Sequence, residues 1–558
     1  MTKRFLAALL AGLPLSACAT LPAESGGGPV EVQILALNDF HGHLEQSPGD
    51  VSYVVDGQQR SARLGGAAQL GATLDALREG NPHTITVAAG DLIGASPLIS
   101  ALFLDEPTIR ALSVVGLDLA SVGNHEFDRG IAELQRMQNG GCEANTQREP
   151  CAIEPFAGAD FAYLAGNTVD AAGNTLFSGT AMREYGDARV GFIGLTLEGT
   201  ANLVADQATA GYTFLDEAET ANRFARELVA DGADAVVLLI HEGGYVDDRF
   251  VLDACPDLSG PIVPIVEALD PAISLVVSGH SHNSYICNLT RPGGEPVLLT
   301  SAGRYGGFVT QIVMTVDPTA DRALSVTGRS VAVTEPAVLH AEAAAIVARY
   351  AEAVRPVAER AVGPIAASGA AGRDCLDSPA QAFIADAYLD MAREAGEPVD
   401  LAFVNSGGVR TDLSGAADGV LTYGELSAMA PFGNAVTVLS LTGGEIAELL
   451  EGQWCDEGGL ASACESLLVP SDALRYTVDR AAPAGERVAG ITLAGQPLDL
   501  QRTYRVATNS FLAGGGDGFS IFTEARDPKI VGFDIDGIEA YVARGTVSVP
   551  VCGRVATL

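Results

Sequence analysis

The stretch Leu119-Ala120-Ser121-Val122-Gly123-Asn124-His125-Glu126-Phe127-Asp128 sets an apolar run directly against a glycine, an amide, an imidazole and two carboxylates. A short run of this kind reads as a buried strand of an α/β layer fold, in which ligands gather where strands end. Four more segments repeat the pattern. Residues 30–37 lead into Asn38-Asp39-Phe40-His41-Gly42-His43, and residues 83–88 lead to Gly90-Asp91. Residues 235–240 lead into His241-Glu242, and residues 273–277 to Gly279-His280-Ser281-His282. Helical patterning over 66–79 and 217–231 separates the runs, which predicts an α/β architecture. The chain has 8 histidines, and all but His83 and His340 fall in these clusters, which scattered core histidines would not do. Carboxylate, amide and imidazole donors without thiolate suit divalent ions such as Zn²⁺, Mn²⁺ or Mg²⁺. Side chains two residues apart on an extended segment share a face, so Asp39 is expected beside His41, and His280 beside His282.

The 558 residues exceed what one core holds, about 100–200 residues per domain. With 47% hydrophobic residues the chain can fill at least two cores. Lys+Arg 33 against Asp+Glu 70 gives a formal charge of −37, which opposes binding to nucleic-acid phosphates. An anionic substrate must therefore meet a local positive site, either metal ions or placed arginines. Lys3 and Lys529 are the only lysines, so arginine carries nearly all of that task. Beyond the first two dozen residues no apolar run approaches the roughly 18–20 residues of a membrane span.

Lys3 and Arg4 precede an apolar stretch over 5–15 that ends Leu15-Ser16-Ala17-Cys18. The pattern is that of a secretory signal. It resembles a bacterial lipoprotein signal over 1–18, in which Cys18 carries the lipid anchor, and Ala19 after it favours the outer membrane. Residues 19–29 read as a tether. An ordinary signal peptide with a chance cysteine is the alternative. Eight cysteines remain, an even number suited to an oxidising compartment. Proximity pairs Cys142 with Cys151, Cys255 with Cys287 and Cys455 with Cys464, leaving Cys375 and Cys552, although spacing leaves other pairings open.

Leu339, Ala343, Ile346, Val347, Tyr350, Val354 and Val357 follow helical spacing. They predict a helix over 336–362 that joins a domain at 30–335 to a second α/β domain at 363–558. A further core helix of the first domain is the other reading.

The residues Asp39-x-His41, Gly90-Asp91, Gly123-Asn124-His125-Glu126, His241 and Gly279-His280-x-His282 resemble the calcineurin-like metallophosphoesterases. GNHEFDRG over 123–130 is similar to their 5′-nucleotidase branch. So are Asn405-Ser406-Gly407-Gly408-Val409-Arg410, Pro431-Phe432-Gly433-Asn434 and 508–519. The resemblance spans about 30–519. It implies a four-layer αββα domain with two divalent metal ions, a linker helix, and a C-terminal α/β domain that binds nucleotide. It makes Asp91 the bridging carboxylate, with Asp39, His41 and His282 on one metal and Asn124, His241 and His280 on the other. His282 stands where relatives often carry Gln or Asn, and imidazole can also ligate. His43 is placed outside the ligand set.

The resemblance also implies the chemistry, attack of a metal-activated water on a 5′-nucleotide phosphorus. His125 would donate to a phosphoryl oxygen and Asp128 would orient it. Phe432 and Phe511 would sandwich the base, Asn434 would contact its edge, and Asp517 would accept from ribose. Asn405, Arg410 and Arg373 would face phosphate, although the local match at Arg373 is displaced by about one residue. The activity implied is exported phosphate release from 5′-nucleotides. UDP-sugar or NAD pyrophosphate cleavage, 2′,3′-cyclic nucleotide cleavage and sulfur-ester hydrolysis would use the same metals, and the aromatic pair disfavours the last. A nucleotide-binding surface protein without catalysis is the non-enzyme reading. Oligomeric state is not legible.

Overall fold

The structure, a computed structural model, describes residues 28–146, 148–204, 207–366, 376–413, 418–454 and 466–558. Cys18, Arg373, Cys375, Cys455 and Cys464 therefore lie outside the described residues, with the signal and tether expected before residue 28.

Two six-stranded sheets face each other in the N-terminal half. The first runs Arg322–Ala332, Phe308–Asp317, Val30–Leu37, Thr84–Ala89, Leu119–Ser121 and Ala162–Leu164 from edge to edge. The second runs Ser284–Thr290, Pro296–Ala302, Ile273–Ser278, Ala235–Ile240, Ala188–Leu195 and Thr180–Tyr185. Strand alternation explains the layering. Val32, Ile34 and Ala36 point inward against Phe192, Val237 and Leu275, whereas Leu35 and Leu37 point outward beneath helices. Val236, Leu238 and Ile240 likewise pack outward under helices Glu217–Ala230 and Ile262–Ala268. Helices Ala67–Arg78, Glu106–Val114 and Ile131–Asn139 cover the first sheet, completing the expected αββα layers.

The five ligand-bearing strands are parallel within their sheets, so their carboxyl ends share one edge. The expected helix is present at Ala341–Ala358, capped by His340, whose ring accepts from the Ala343 N–H. Its Ala343, Tyr350 and Val354 are buried in the core beneath the first sheet's helices. The C-terminal half centres on a five-stranded sheet, Leu468–Pro470, Leu401–Asn405, Thr503–Asn509, Ala435–Thr442 and Arg526–Phe533. Helices Pro379–Glu394 and Asp534–Ala543 cover one face, and helix Gly443–Gly452 with a four-stranded sheet covers the other. Disulfides join Cys142 to Cys151 and Cys255 to Cys287, as proximity predicts.

The helix that follows the 123–130 loop is fixed by charge. Arg136 reaches Glu106 and Glu133 at 2.7 Å each, with all three side chains no more than 3% exposed. Arg136→Ala would leave two buried carboxylates without their counter-charge, a loss of about 3–5 kcal/mol. Urea unfolding should show an N-terminal transition at clearly lower denaturant, and an unchanged midpoint would contradict the assigned role.

Candidate active site

Three of the five strand-end loops, those after Val30–Leu37, Thr84–Ala89 and Ile273–Ser278, turn abruptly. Asp39 (φ 50°), His41 (φ 47°), Asp91 (φ 49°), His280 (φ 65°) and His282 (φ 57°) all have left-handed backbone. This corrects the expectation of an extended Asp-x-His segment. The pairs do converge, but through sharp turns at the strand tips rather than through strand alternation, and side-chain-bearing residues tolerate such φ only where surrounding structure holds them. Gly90 (φ 78°) shows why the loops approach so closely, since a Cβ there would lie 2.6 Å from His241 Nδ1.

The result is two donor clusters around Asp91. In one, His282 Nε2 lies 3.3 Å and His41 Nε2 3.8 Å from Asp39 Oδ1, and the two imidazole nitrogens are 3.1 Å apart. In the other, His241 Nε2 lies 3.0 Å from Asp91 Oδ2 and 3.1 Å from Asn124 Oδ1, with His280 Nδ1 3.1 Å from the same amide oxygen. His41 Nε2 reaches Asp91 Oδ2 at 3.6 Å, linking the two. All seven candidate ligands are thus together.

These donors fit cations. Backbone carbonyls of Gly94 and Ala89 accept from Nδ1 of His41 and His241 at 2.9 and 2.8 Å, which turns both Nε2 lone pairs inward. They face carboxylate and amide oxygens that also only accept, and Asp39 Oδ1 is buried without a hydrogen bond. Burial holds His280 down at about 4 and His41 and His282 well below the imidazole range, so these rings are neutral donors. Burial opposes charge on His241 as well, yet the charge and hydrogen bond of Asp91 push it up to about 10. A site with such attraction for a proton is one that a divalent cation satisfies.

Glu126 is the residue that sequence reasoning left without a task. Its buried carboxylate accepts from the N–H groups of Gly123 at 2.6 Å, Leu92 at 2.8 Å and Asp91 at 2.9 Å, tying the Asp91 loop to the Asn124 loop. Burial and the Asp91 charge push it up to about 7. Its place inside the 123–130 motif was the available signal. Asp91 in turn accepts from the His125 N–H at 2.9 Å. His125 Nδ1 meets Asp128 Oδ2 at 2.8 Å, and Arg129 beside it pairs with buried Asp105. Burial lowers the His125 pKa, but the charges of Asp128 and Asp91 outweigh it and raise the ring above its ordinary value.

The C-terminal half supplies the other wall of one cavity, lined by Asn124, His125, Asp128 and His280 and by Asn405, Arg410, Phe432, Asn434, Phe511 and Asp517. Arg410 Nη2 reaches His125 Nε2 at 3.1 Å, and the Phe432 ring stacks over His125 at 5.8 Å. Asn405 donates to Asp517 at 2.7 Å and accepts from Asn509 at 3.1 Å. Asn434 is held by Asp534, which accepts from its N–H at 3.0 Å, and by the Ser510 hydroxyl at 3.3 Å. His43 lies outside the clusters, stacked on Tyr305 at 3.7 Å. His83 and His340 stand away from the site, against Tyr185 and at a helix start.

Comparison with known proteins agrees with this geometry. The calcineurin-like phosphoesterase family matches residues 32–284, and the 5′-nucleotidase C-terminal domain matches 357–524. The cell wall protein Lmo0130 of Listeria monocytogenes is 30% identical, over 93% of this chain and 68% of its own. A 5′-nucleotidase of Vibrio cholerae is 24% identical, over 96% of this chain and 94% of its own. The crystal structure of a 5′-nucleotidase precursor from Thermus thermophilus superposes with a TM-score of 0.74 at 26% identity, over 95% of this chain and 99% of that one.

Glu126→Gln would turn an N–H donor toward the backbone N–H groups that the carboxylate now receives. Supporting groups of this kind typically govern metal affinity by about 10–100-fold. Chelator competition should register such a loss for Zn²⁺ or Mn²⁺, and unchanged affinity would remove Glu126 from the site.

Proposed function

The chain belongs to the 5′-nucleotidase family, a calcineurin-like phosphoesterase domain followed by a 5′-nucleotidase C-terminal domain, and from that premise we propose that this phosphoric ester hydrolase releases phosphate from nucleoside 5′-monophosphates. The observation that carries the reading is the meeting of Arg410 and Phe432 with His125 in one cavity, which joins an anion contact and an aromatic face to the donor clusters.

Asp39, His41 and His282 would hold one divalent ion and Asn124, His241 and His280 the other, with Asp91 between them. Bound there, the ions supply an acidified water and neutralise charge on the phosphoryl group. His125 Nε2 and Arg410 Nη2 flank one point, so a phosphoryl oxygen seated between them accepts from both as charge develops. The Nδ1 contact to Asp128 keeps the His125 ring aimed while this happens. Phe432 and Phe511 offer flat apolar faces to a base. The Ser510 hydroxyl donates to the Asn434 carbonyl and Asp534 also engages the Asn434 side chain, which fixes this amide for contact with the base edge. Asp517 is oriented by Asn405 and Ser466 toward ribose hydroxyls.

Zn²⁺ and Mn²⁺ fit the nitrogen and oxygen donors best. Export is part of the reading. It is supported by the Cys142–Cys151 and Cys255–Cys287 disulfides, which persist in oxidising compartments, and by the name of the Listeria relative. The lipoprotein-like signal over 1–18 makes Cys18 the proposed anchor.

Phosphate release should be seen with AMP, be abolished by EDTA and return with Zn²⁺ or Mn²⁺. Asp128→Asn should lower kcat about 100-fold. Phe432→Ala should raise KM for AMP about ten-fold and leave that for p-nitrophenyl phosphate nearly unchanged. Metal-dependent turnover confined to p-nitrophenyl phosphate would sink the nucleotide assignment.

A further inference from the structure

Many arginines in this acidic chain have a carboxylate, as Arg129, Arg136, Arg360, Arg526 and Arg554 do, and others, such as Arg148 and Arg291, are held by backbone carbonyls. Arg249, Arg304 and Arg410 make no ion pair among the described residues, and all three lie around the His282 end of the donor clusters. The Arg249 Nε–H donates to the His282 carbonyl at 3.3 Å, which leaves its two terminal nitrogens without a protein acceptor among the described residues. The Arg304 guanidinium lies over the Tyr305 ring at 4.5 Å and makes no side-chain hydrogen bond among the described residues. That ring stacks on His43 and turns its edge toward His41 and His282 at 5.9 and 5.7 Å. Arg410 Nε is buried and has no partner among the described residues.

Three guanidinium groups gathered near His282 repel one another, while Asp39 acts on Arg249 and Asp517 on Arg410 only through space, without an ion pair. Folding tolerates such repulsion where an anion resolves it. The cavity lined by Phe432 and Phe511 opens on the His125 and His280 side, and none of Arg249, Arg304, His41 or His282 lines it.

We propose that Arg249 and Arg304, with Arg410 at their inner side, form a second oxyanion subsite that takes a tetrahedral phosphate-like group beyond the reacting phosphoryl group, on the side away from the nucleoside. The placement of the reacting group rests on the function proposed above. The ligand chemistry is a phosphate dianion, met by guanidinium forks that suit two oxygens at once. It has two sources, a second phosphoryl group carried by the substrate or the orthophosphate just released.

The full chain and its R249Q, R304Q and R249Q/R304Q variants test this, each first checked for an unchanged thermal melt. Pyrophosphate and orthophosphate binding is measured by calorimetry on EDTA-treated protein, where metal ions contribute nothing. The double variant should lose about ten-fold or more in affinity for at least one of them, the scale of charge-assisted hydrogen bonds. With metal restored, an ADP-to-AMP ratio of kcat/KM that falls about ten-fold assigns the subsite to the second phosphoryl group of the substrate. An orthophosphate inhibition constant that rises by that factor at constant ratio assigns it to the product. Equal anion binding by wild type and double variant, with ratio and inhibition unmoved, overturns the subsite. Failure of wild type to hydrolyse any nucleotide would overturn the proposed function separately, and the EDTA binding data would still decide the subsite.

Discussion

Acceptor atoms crowded at one point constrain everything else in the molecule. Asp39, Asp91 and His241 are 0%, 1% and 0% exposed, and their oxygens and lone-pair nitrogens face one another across 3–4 Å. Left alone, such an arrangement costs several kcal/mol per buried charge. The fold holds it by directing strong backbone donors at its edges. Asp91 Oδ1 takes the His125 N–H, Asp39 Oδ2 takes the His280 N–H, and Glu126 gathers three N–H groups from two loops. The left-handed tips and Gly90 follow from the same demand, because only sharp turns bring five strand ends within reach of one another. A divalent pair converts this frustrated cluster into a satisfied one, which ties metal affinity to loop geometry.

The C-terminal half acts on that cluster through few atoms. Arg410 touches His125 directly, and the Phe432 ring lies over the same imidazole. On the proposed function, substrate selection and chemistry would meet at His125, whose other nitrogen is already committed to Asp128. A group inserted at this junction is read by both halves at once. The close packing of helix Ala341–Ala358 on the first half gives the junction a firm base, since Tyr350 is buried and edge-on to Phe103 at 5.0 Å.

Much of this was legible in the sequence. Apolar runs ending in Asp, Asn or His marked the strand ends, and the scarcity of histidine made its clustering informative. All seven donors and the C-terminal residues among the described set come together where the motifs implied. Backbone handedness was not legible, because Asp and His at positive φ leave no trace in composition, and an extended reading was the simpler local choice. Glu126 was hidden by its own motif, in which flanking Asn124, His125 and Asp128 drew the chemical reading. Arg249 and Arg304 were invisible for another reason. They are 55 positions apart by number (304 − 249), in segments with no motif, and only tertiary packing brings them to the site, Arg304 through Tyr305 against three histidines and Arg249 through the His282 carbonyl.

Their location also answers how a chain of net charge −37 attracts an anion at all. Screening limits exposed charges to a reach of about 8 Å at physiological salt. The distant carboxylates therefore act weakly at the site, whereas charges lining a partly desolvated cleft act strongly. With almost no lysine, the chain meets anions with guanidinium groups, and Arg249, Arg304 and Arg410 stand near the site without an ion pair among the described residues. A neutral or basic surface would collect anions everywhere. On the subsite proposed above, an acidic surface would admit anions where Arg410, Arg304 and Arg249 gather near His282, so the net charge would sharpen the selectivity of the site instead of opposing it.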